Sequence, residues 1–193
     1  MRVDVRPATP DDLPALAATL ADAFADDPLW TWMIPERHRH ARLTRVFGAL
    51  LAHTLPRGHV RTTVDRRAVA MWTAPGEWKL PLPTVIRAAP PMVRGAGRRL
   101  PRLLQRMGDI ERAHELQPPH HWYLEFIGTT AGGRGQGHGA ALMADALGRF
   151  GDTPIYLESS NVRNLPFYER HGFRVTGDLV VRSGPPQRTL WRA

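Results

Sequence analysis

Apolar positions along the chain fall into a few clear rhythms. Leu13, Leu16, Leu20 and Phe24 recur at helical spacing. Ahead of them, Thr9-Pro10-Asp11-Asp12 is a strong helix start: a capping hydroxyl, a proline suited to the first position, and acids for the positive end of the dipole. Asp26-Asp27-Pro28 ends this helix, and residues 29–35 read as a loop or broken turn rich in aromatics. A second helix is predicted over 39–55, with Leu43, Val46, Phe47, Leu50 and Leu51 on one stripe and Pro56-Arg57-Gly58 as its stop. Residues 3–6 form a short strand. Residues 59–64 and 68–72 form a hairpin around Asp65-Arg66-Arg67.

Residues 74–119 differ in texture. Prolines mark the ends, arginines fill the middle, and Leu100, Leu103, Leu104 and Met107 give a modest helical stripe. The stretch is too short and too poor in apolar residues for a core of its own, so it reads as a helical insertion within one domain spanning 1–193. Strand 121–130 is the clearest in the chain. A glycine-rich loop follows at 132–139, then a helix over 140–150 with Leu142, Met143, Ala146, Leu147 and Phe150 inward. A strand at 155–158, a short helix at 166–171 ended by Gly172, and strands at 173–181 and 189–192 complete the order. Strands interleaved with helices make the class α/β or α+β with a mixed sheet.

Composition narrows the chemistry. The 193 residues contain no cysteine, which excludes a disulfide framework, a thiolate metal site and a cysteine nucleophile. No metal site is expected. No apolar run approaches the roughly 18 residues of a membrane span, and the start lacks a signal-like core, so no membrane association and a cytoplasmic location are expected. The balance of 26 basic against 18 acidic residues is +8. Such a charge favours anionic partners, phosphorylated cofactors included. The basic residues are spread along the whole chain, which argues against nucleic acid as the partner.

The loop Gly132-Gly133-Arg134-Gly135-Gln136-Gly137-His138-Gly139 lies between a strand and a helix. With so few side chains, its N–H groups can converge on an anion at the helix start. The dinucleotide spacing G-x-G-x-x-G is not met in the needed register, and no lysine follows to make a Walker loop. The bland alternative is a flexible strand–helix turn.

Arg134-x-x-Gly137-x-Gly139 resembles the pyrophosphate loop Q/R-x-x-G-x-G/A of the GNAT N-acetyltransferase superfamily. Asn161-x-x-Asn164-x-x-Phe167-Tyr168-Glu169-Arg170-x-Gly172-Phe173 resembles the second pattern of that family, N-x-x-A-x-x-F-Y-x-x-x-G-F. Residues 156–160 with Val175-Thr176, and Ala23-Phe24-Ala25-Asp26, are similar to the puromycin N-acetyltransferase branch. The resemblance covers about residues 120–178 strongly and the first strand and helix loosely. Where the family often has proline and an acid, this chain has Ala131 and Gly132, which should loosen the loop entrance. Asn164 replaces a usual small residue of the wider family and matches the puromycin-type branch.

The resemblance implies a mixed, largely antiparallel central sheet flanked by helices, and acetyl transfer from acetyl-CoA to the primary amine of a small molecule by direct attack. It implies that Arg134, Gly135, Gln136, Gly137, His138, Gly139 and Ala140 hold the pyrophosphate. Asn161, Asn164 and Phe167 stand at the same cofactor. Ile127 and Thr129 pair with the pantetheine arm like an added strand, with Gly128 permitting the local splay and the Ile127 N–H as oxyanion donor. His138 is expected to touch cofactor or solvent. Tyr168 is the candidate general acid, against plain packing with Phe167 and Phe173. Glu125 is the candidate base, against an exposed strand glutamate. Strand alternation puts Tyr123, Glu125 and Ile127 on one face, and His121, of the same parity, is a rival base. Asp27, Trp30, Trp32 and Tyr123 are candidates for the acceptor side, where acids and aromatics suit a cationic amine; the alternative is ordinary core aromatics. The arginine-rich insertion could reach a cofactor phosphate, line the acceptor cleft or remain a solvated face. Other readings are a protein or peptide N-acetyltransferase and a non-catalytic acyl-CoA-binding regulator. A monomer and a homodimer are both compatible with the sequence.

Overall fold

The computed structural model of the chain describes residues 3–79 and 82–193. Seven strands form one sheet in the order β1-β2-β3-β4-β5-β7-β6. They are β1 Val5–Pro7, β2 Val60–Thr63, β3 Ala68–Thr73, β4 Trp122–Thr129, β5 Ile155–Ser159, β6 Arg174–Asp178 and β7 Arg188–Arg192. Every pairing is antiparallel except β4 with β5. The expected mixed, largely antiparallel sheet is what the chain forms.

The helices are α1 Leu13–Ala23, α2 Pro28–Met33, α3 Arg39–Thr54, α4 Leu82–Ala96, α5 Leu100–Glu115, α6 His138–Phe150 and α7 Leu165–Glu169. Thr9 and Asp12 form a capping box at the expected helix start, and Asp12 is further held by Arg6 at 2.6 Å. Residues 28–33 are a helix rather than the expected loop. Asp27 caps it, its Oδ1 accepting from the amides of Leu29 and Trp30, and Pro28 sits at the first position. This is the same start signal as at Thr9-Pro10, on a segment too short to show a period.

β3 lies between the two cores. Its six residues are all buried, and they alternate between cores. Val69 and Met71 join α1, α3 and the aromatics Trp30 and Phe47. Ala68, Ala70 and Trp72 join α6, β5 and β7. Leu16 and Leu20 are fully buried in the first core, each contributing about 2 kcal/mol of apolar burial. Ala96, Met92 and Leu103 show that the arginine-rich segment packs onto this first core. The expected stripe on α5 is corrected. Leu104 and Met107 are exposed, while Leu103, Arg106, Asp109 and His114 turn inward. The inward face of α5 is therefore largely polar, and it walls the site described next.

Candidate active site

The sheet forks between β4 and β5. Only Trp122↔Ile155 and Tyr123↔Tyr156 pair, anchored by the Trp122 amide donating to the Pro154 carbonyl at 2.8 Å. Beyond Tyr123, β4 has no strand partner on that side. On its other side β4 stays paired with β3, but the register slips: Met71 faces Phe126 and Trp72 faces Leu124. Glu125 is the extra residue of a β-bulge. Past the bulge, the Thr130 amide donates to Arg67 at 2.9 Å. Alternation from that bond turns the amides of Ile127 and Thr129 away from β3, into the fork.

The bulge corrects the expected alternation. Tyr123 and Glu125 share the face toward α5, but Phe126 follows them there, with its ring against Phe24 and Phe47. The Ile127 side chain packs in the other core, with Leu124 and Trp122. One inserted residue moves every later side chain to the opposite face. Gly128 also has a different reason than local splay. A Cβ there would stand 2.8 Å from Ala23 Cβ and 3.3 Å from Leu20, so glycine lets α1 lie against the strand.

After β4, residues 131–133 make one tight turn, and the Ala131 amide donates to Asp22 of α1 at 2.7 Å. The loop entrance is thus fastened by an acid from another element, not loosened. Gly135 and Gly137 adopt positive φ. The first bond inside α6 runs from the Ala141 amide to Gly137, so the amides of His138, Gly139 and Ala140 lack partners within the helix. These three N–H groups and the helix dipole make an anion cradle. Phe167 packs directly over Gly139. Arg134 donates to the Ala23 carbonyl at 3.1 Å, at the end of α1. The Asn161 side chain accepts from the Arg163 amide, shaping the turn that leads into α7. The His138 ring departs from expectation: it is buried and pairs with Asp65 at 3.1 Å, leaving only its backbone to the loop.

On the α5 side the fork borders a cavity of about 470 Å³. Three carboxyls line it, those of Asp27 and Glu158 buried and that of Glu125 half-buried. Asp27 accepts from Ser160 Oγ at 2.6 Å, and burial pushes its pKa up. Glu125 accepts the Thr73 hydroxyl, and burial pushes it up as well. Glu158 accepts the Tyr123 hydroxyl at 2.8 Å, and burial raises it to about 7. His114 from α5 lies 4.0 Å from Glu158; burial lowers it to about 4, so it is neutral near pH 7. Tyr168 borders the same space, with burial and Asp27 raising its phenol. Trp30 and Asn164 complete the part of the lining that the sequence anticipated.

Two expected residues stand elsewhere. Trp32 lies outside the cavity, beneath Gly184 and against the guanidinium groups of Arg102 and Arg106 at 5.4 and 5.5 Å. His121 is buried against Tyr156 and Trp191 and donates to the Pro118 carbonyl. Sequence reasoning passed over Glu158, His114, Thr73 and Ser160. A signal existed for Glu158: it alternates with Ile155 and Leu157, which point into the apolar core. Among the described residues, no group of three or more His, Asp or Glu side chains could hold a metal. Nor is any helix there long and apolar enough to cross a membrane.

The acetyltransferase (GNAT) family model matches residues 103–173, which contain the fork, the glycine loop and Tyr168. Over that stretch the chain is similar to the GNAT acetyltransferase family. An uncharacterised N-acetyltransferase of Schizosaccharomyces pombe is 29% identical, with 84% of this chain and 70% of the relative covered. A Corynebacterium glutamicum structure described as histone acetyltransferase HPA2 and related acetyltransferase superposes with a TM-score of 0.74 at 28% identity, covering 100% of this chain and 96% of that one. The polyamine N-acetyltransferase of Drosophila melanogaster, which forms N-acetylagmatine, shares the fold with a TM-score of 0.66 at 17% identity, covering 98% and 97%. The protein is an acetyltransferase, and the co-substrate of the GNAT family is acetyl-CoA.

Proposed function

We propose that this acetyltransferase acetylates the primary amine of a small molecule with an apolar body, by direct attack within a ternary complex. One observation carries the reading: the open fork meets a cavity lined by the carboxyls of Asp27, Glu125 and Glu158 and by Trp30, Phe24 and Met33. That lining suits a cation with an apolar or aromatic body, and the volume suits a small ligand. The likeness of residues 156–160 and of Asn164 to the puromycin N-acetyltransferase branch supports the same acceptor class without fixing the amine.

Acetyl-CoA supplies the acyl carbon as a thioester. Residues 134–140 hold its pyrophosphate at the start of α6, through the unpartnered amides of His138, Gly139 and Ala140. The outward amides of Ile127 and Thr129 take its pantetheine arm as a further strand, and the Ile127 N–H faces the carbonyl oxygen, where a fixed donor is worth a few kcal/mol. Asn161 and Asn164 set the turn that presents α7. Tyr168 gives its proton to the departing sulfur; burial and nearby Asp27 raise the phenol and so keep it protonated until then. Glu125, bound to Thr73, and Asp27, bound to Ser160, attract and orient the ammonium group. An alkylamine is only about 0.1% neutral at pH 7, so the site must also take a proton from it.

The test is thiol release from acetyl-CoA across a panel of aliphatic and arylalkyl primary amines, beside lysine-containing peptides. Saturable turnover of small amines, fastest for those with an apolar body, is expected. Turnover confined to peptides, or saturable acetyl-CoA binding with no amine accepted, would overturn the acceptor assignment.

A further inference from the structure

Tyr123 and Tyr156 are the last paired residues of the fork. The next residue on the same face of each limb is a glutamate: Glu125 on β4 and Glu158 on β5. The two stand level with each other on either side of the opening. Their oxygens are differently committed. Glu125 Oε1 already accepts the Thr73 hydroxyl. Glu158 Oε2 accepts from Tyr123, while Oε1 is buried with no hydrogen-bond partner among the described residues. The Glu158 side chain is 2% exposed, and it lines the cavity. A buried carboxylate oxygen left without a donor is costly, and a donor brought by the ligand relieves that cost. His114 lies with its Nδ1 4.0 Å from Oε1, and its Nε2 is likewise buried with no hydrogen-bond partner among the described residues.

We propose that Glu158, rather than Glu125, is the base of the reaction, its free Oε1 accepting the proton of the acceptor ammonium. The inference rests on the acetyltransferase reading above and deepens it. In this step one N–H bond of the ammonium breaks and an O–H bond forms at Oε1. Nitrogen keeps the electron pair with which it forms the C–N bond as the C–S bond breaks. Tyr168 gives its proton to sulfur and regains the second amine proton. Glu158 returns its own proton to solvent once product leaves. Burial keeps the carboxyl basic enough for this near neutral pH, where a general base is most effective. The groups facing it are Tyr123 from β4, Tyr156 from its own strand and neutral His114 from α5; Glu125, Asp27 and Arg106 also line the cavity.

The experiment is the pH profile of kcat/KM for the best amine of the panel at saturating acetyl-CoA. The unsubstituted enzyme is expected to show a rising limb with its midpoint near 7. Glu158→Gln removes that limb and lowers kcat/KM at pH 8 by roughly 10²- to 10⁴-fold, the span of a general base. Glu125→Gln raises KM and keeps the limb. Tyr123→Phe removes the bond that favours the ionised carboxyl, and so moves the limb to higher pH; this variant decides the matter if Glu158→Gln loses acetyl-CoA binding. A limb retained in Glu158→Gln, or unmoved in Tyr123→Phe, overturns the proposal and leaves the acetyltransferase reading standing. No turnover of any amine by the unsubstituted enzyme overturns the acceptor reading, and this inference with it.

Discussion

Asp27 joins the start of α2 to the end of β5. One carboxylate oxygen accepts the amides of Leu29 and Trp30, and the other accepts the Ser160 hydroxyl at 2.6 Å. One buried side chain thus closes a helix terminus and fixes the rim of the cavity. Asp27→Ala removes the cap and leaves two buried amides without an acceptor. It is expected to cost about 2–3 kcal/mol in urea unfolding. Asp27→Asn keeps an acceptor for both amides and should cost about 1 kcal/mol or less. A comparable loss in both variants would show that the charge, not the cap, matters.

Gly128 sets the distance between α1 and β4. Gly128→Ala places a methyl group 2.8 Å from Ala23 Cβ, an atom with no rotatable bond by which to move away. Thermal unfolding should show a loss of about 1–3 kcal/mol, the usual range for overpacking. Acetyl-CoA affinity should fall as well, because the outward amides of Ile127 and Thr129 flank the displaced residue.

Gly137 precedes α6 with φ +86°. Alanine there is strained by about 1 kcal/mol, and relief of that strain rotates the amides of the cradle. Titration calorimetry of Gly137→Ala should therefore give weaker acetyl-CoA binding, while Gly148→Ala, which meets open space within the same helix, should bind as the unsubstituted protein does.

Tyr168→Phe keeps the ring packed against Phe167 and Phe173 and removes only the hydroxyl. Turnover should fall by roughly 10²-fold or more with acetyl-CoA affinity retained. Full turnover would return Tyr168 to a packing role.

Glu158 also leaves a mark on stability. Its folded pKa lies above the ordinary carboxyl value, so between about pH 4.5 and 7 the folded state holds a proton that the unfolded chain has released. Stability therefore falls as pH rises through that window. Glu158→Gln removes the penalty. At pH 8 the variant should be more stable than the unsubstituted protein by up to about 3 kcal/mol, and the gap should close below about pH 4. Thermal melts at the two pH values check the sign.

The helices with long apolar stripes, α1 and α3, were legible because each repeats its period several times. The glycine loop and the residues of α7 were legible as family motifs. What escaped depends on single-residue events. The bulge at Glu125 shifts parity without any change in hydropathy, so alternation carried Ile127 to the wrong face. α2 has six residues, five of them apolar, and only Asp27-Pro28 marks its start. His138 sits among glycines yet is drawn inward by Asp65, which lies 73 residues earlier. Trp32 was read as an acceptor-side aromatic, but the guanidinium groups of α5 cover it. The last two are long-range contacts, and local pattern holds no record of them.

The fork has a mechanical consequence as well as a chemical one. β1 to β4 and β5, β7 and β6 are two laddered sets, and only two residue pairs stitch them into one sheet. A ligand that hydrogen-bonds along Ile127 and Thr129 acts there as a splint. Amide hydrogen exchange at the seam should therefore slow on binding acetyl-CoA far more than exchange in α1 or α3, so that the protein finishes its own architecture only while it is at work.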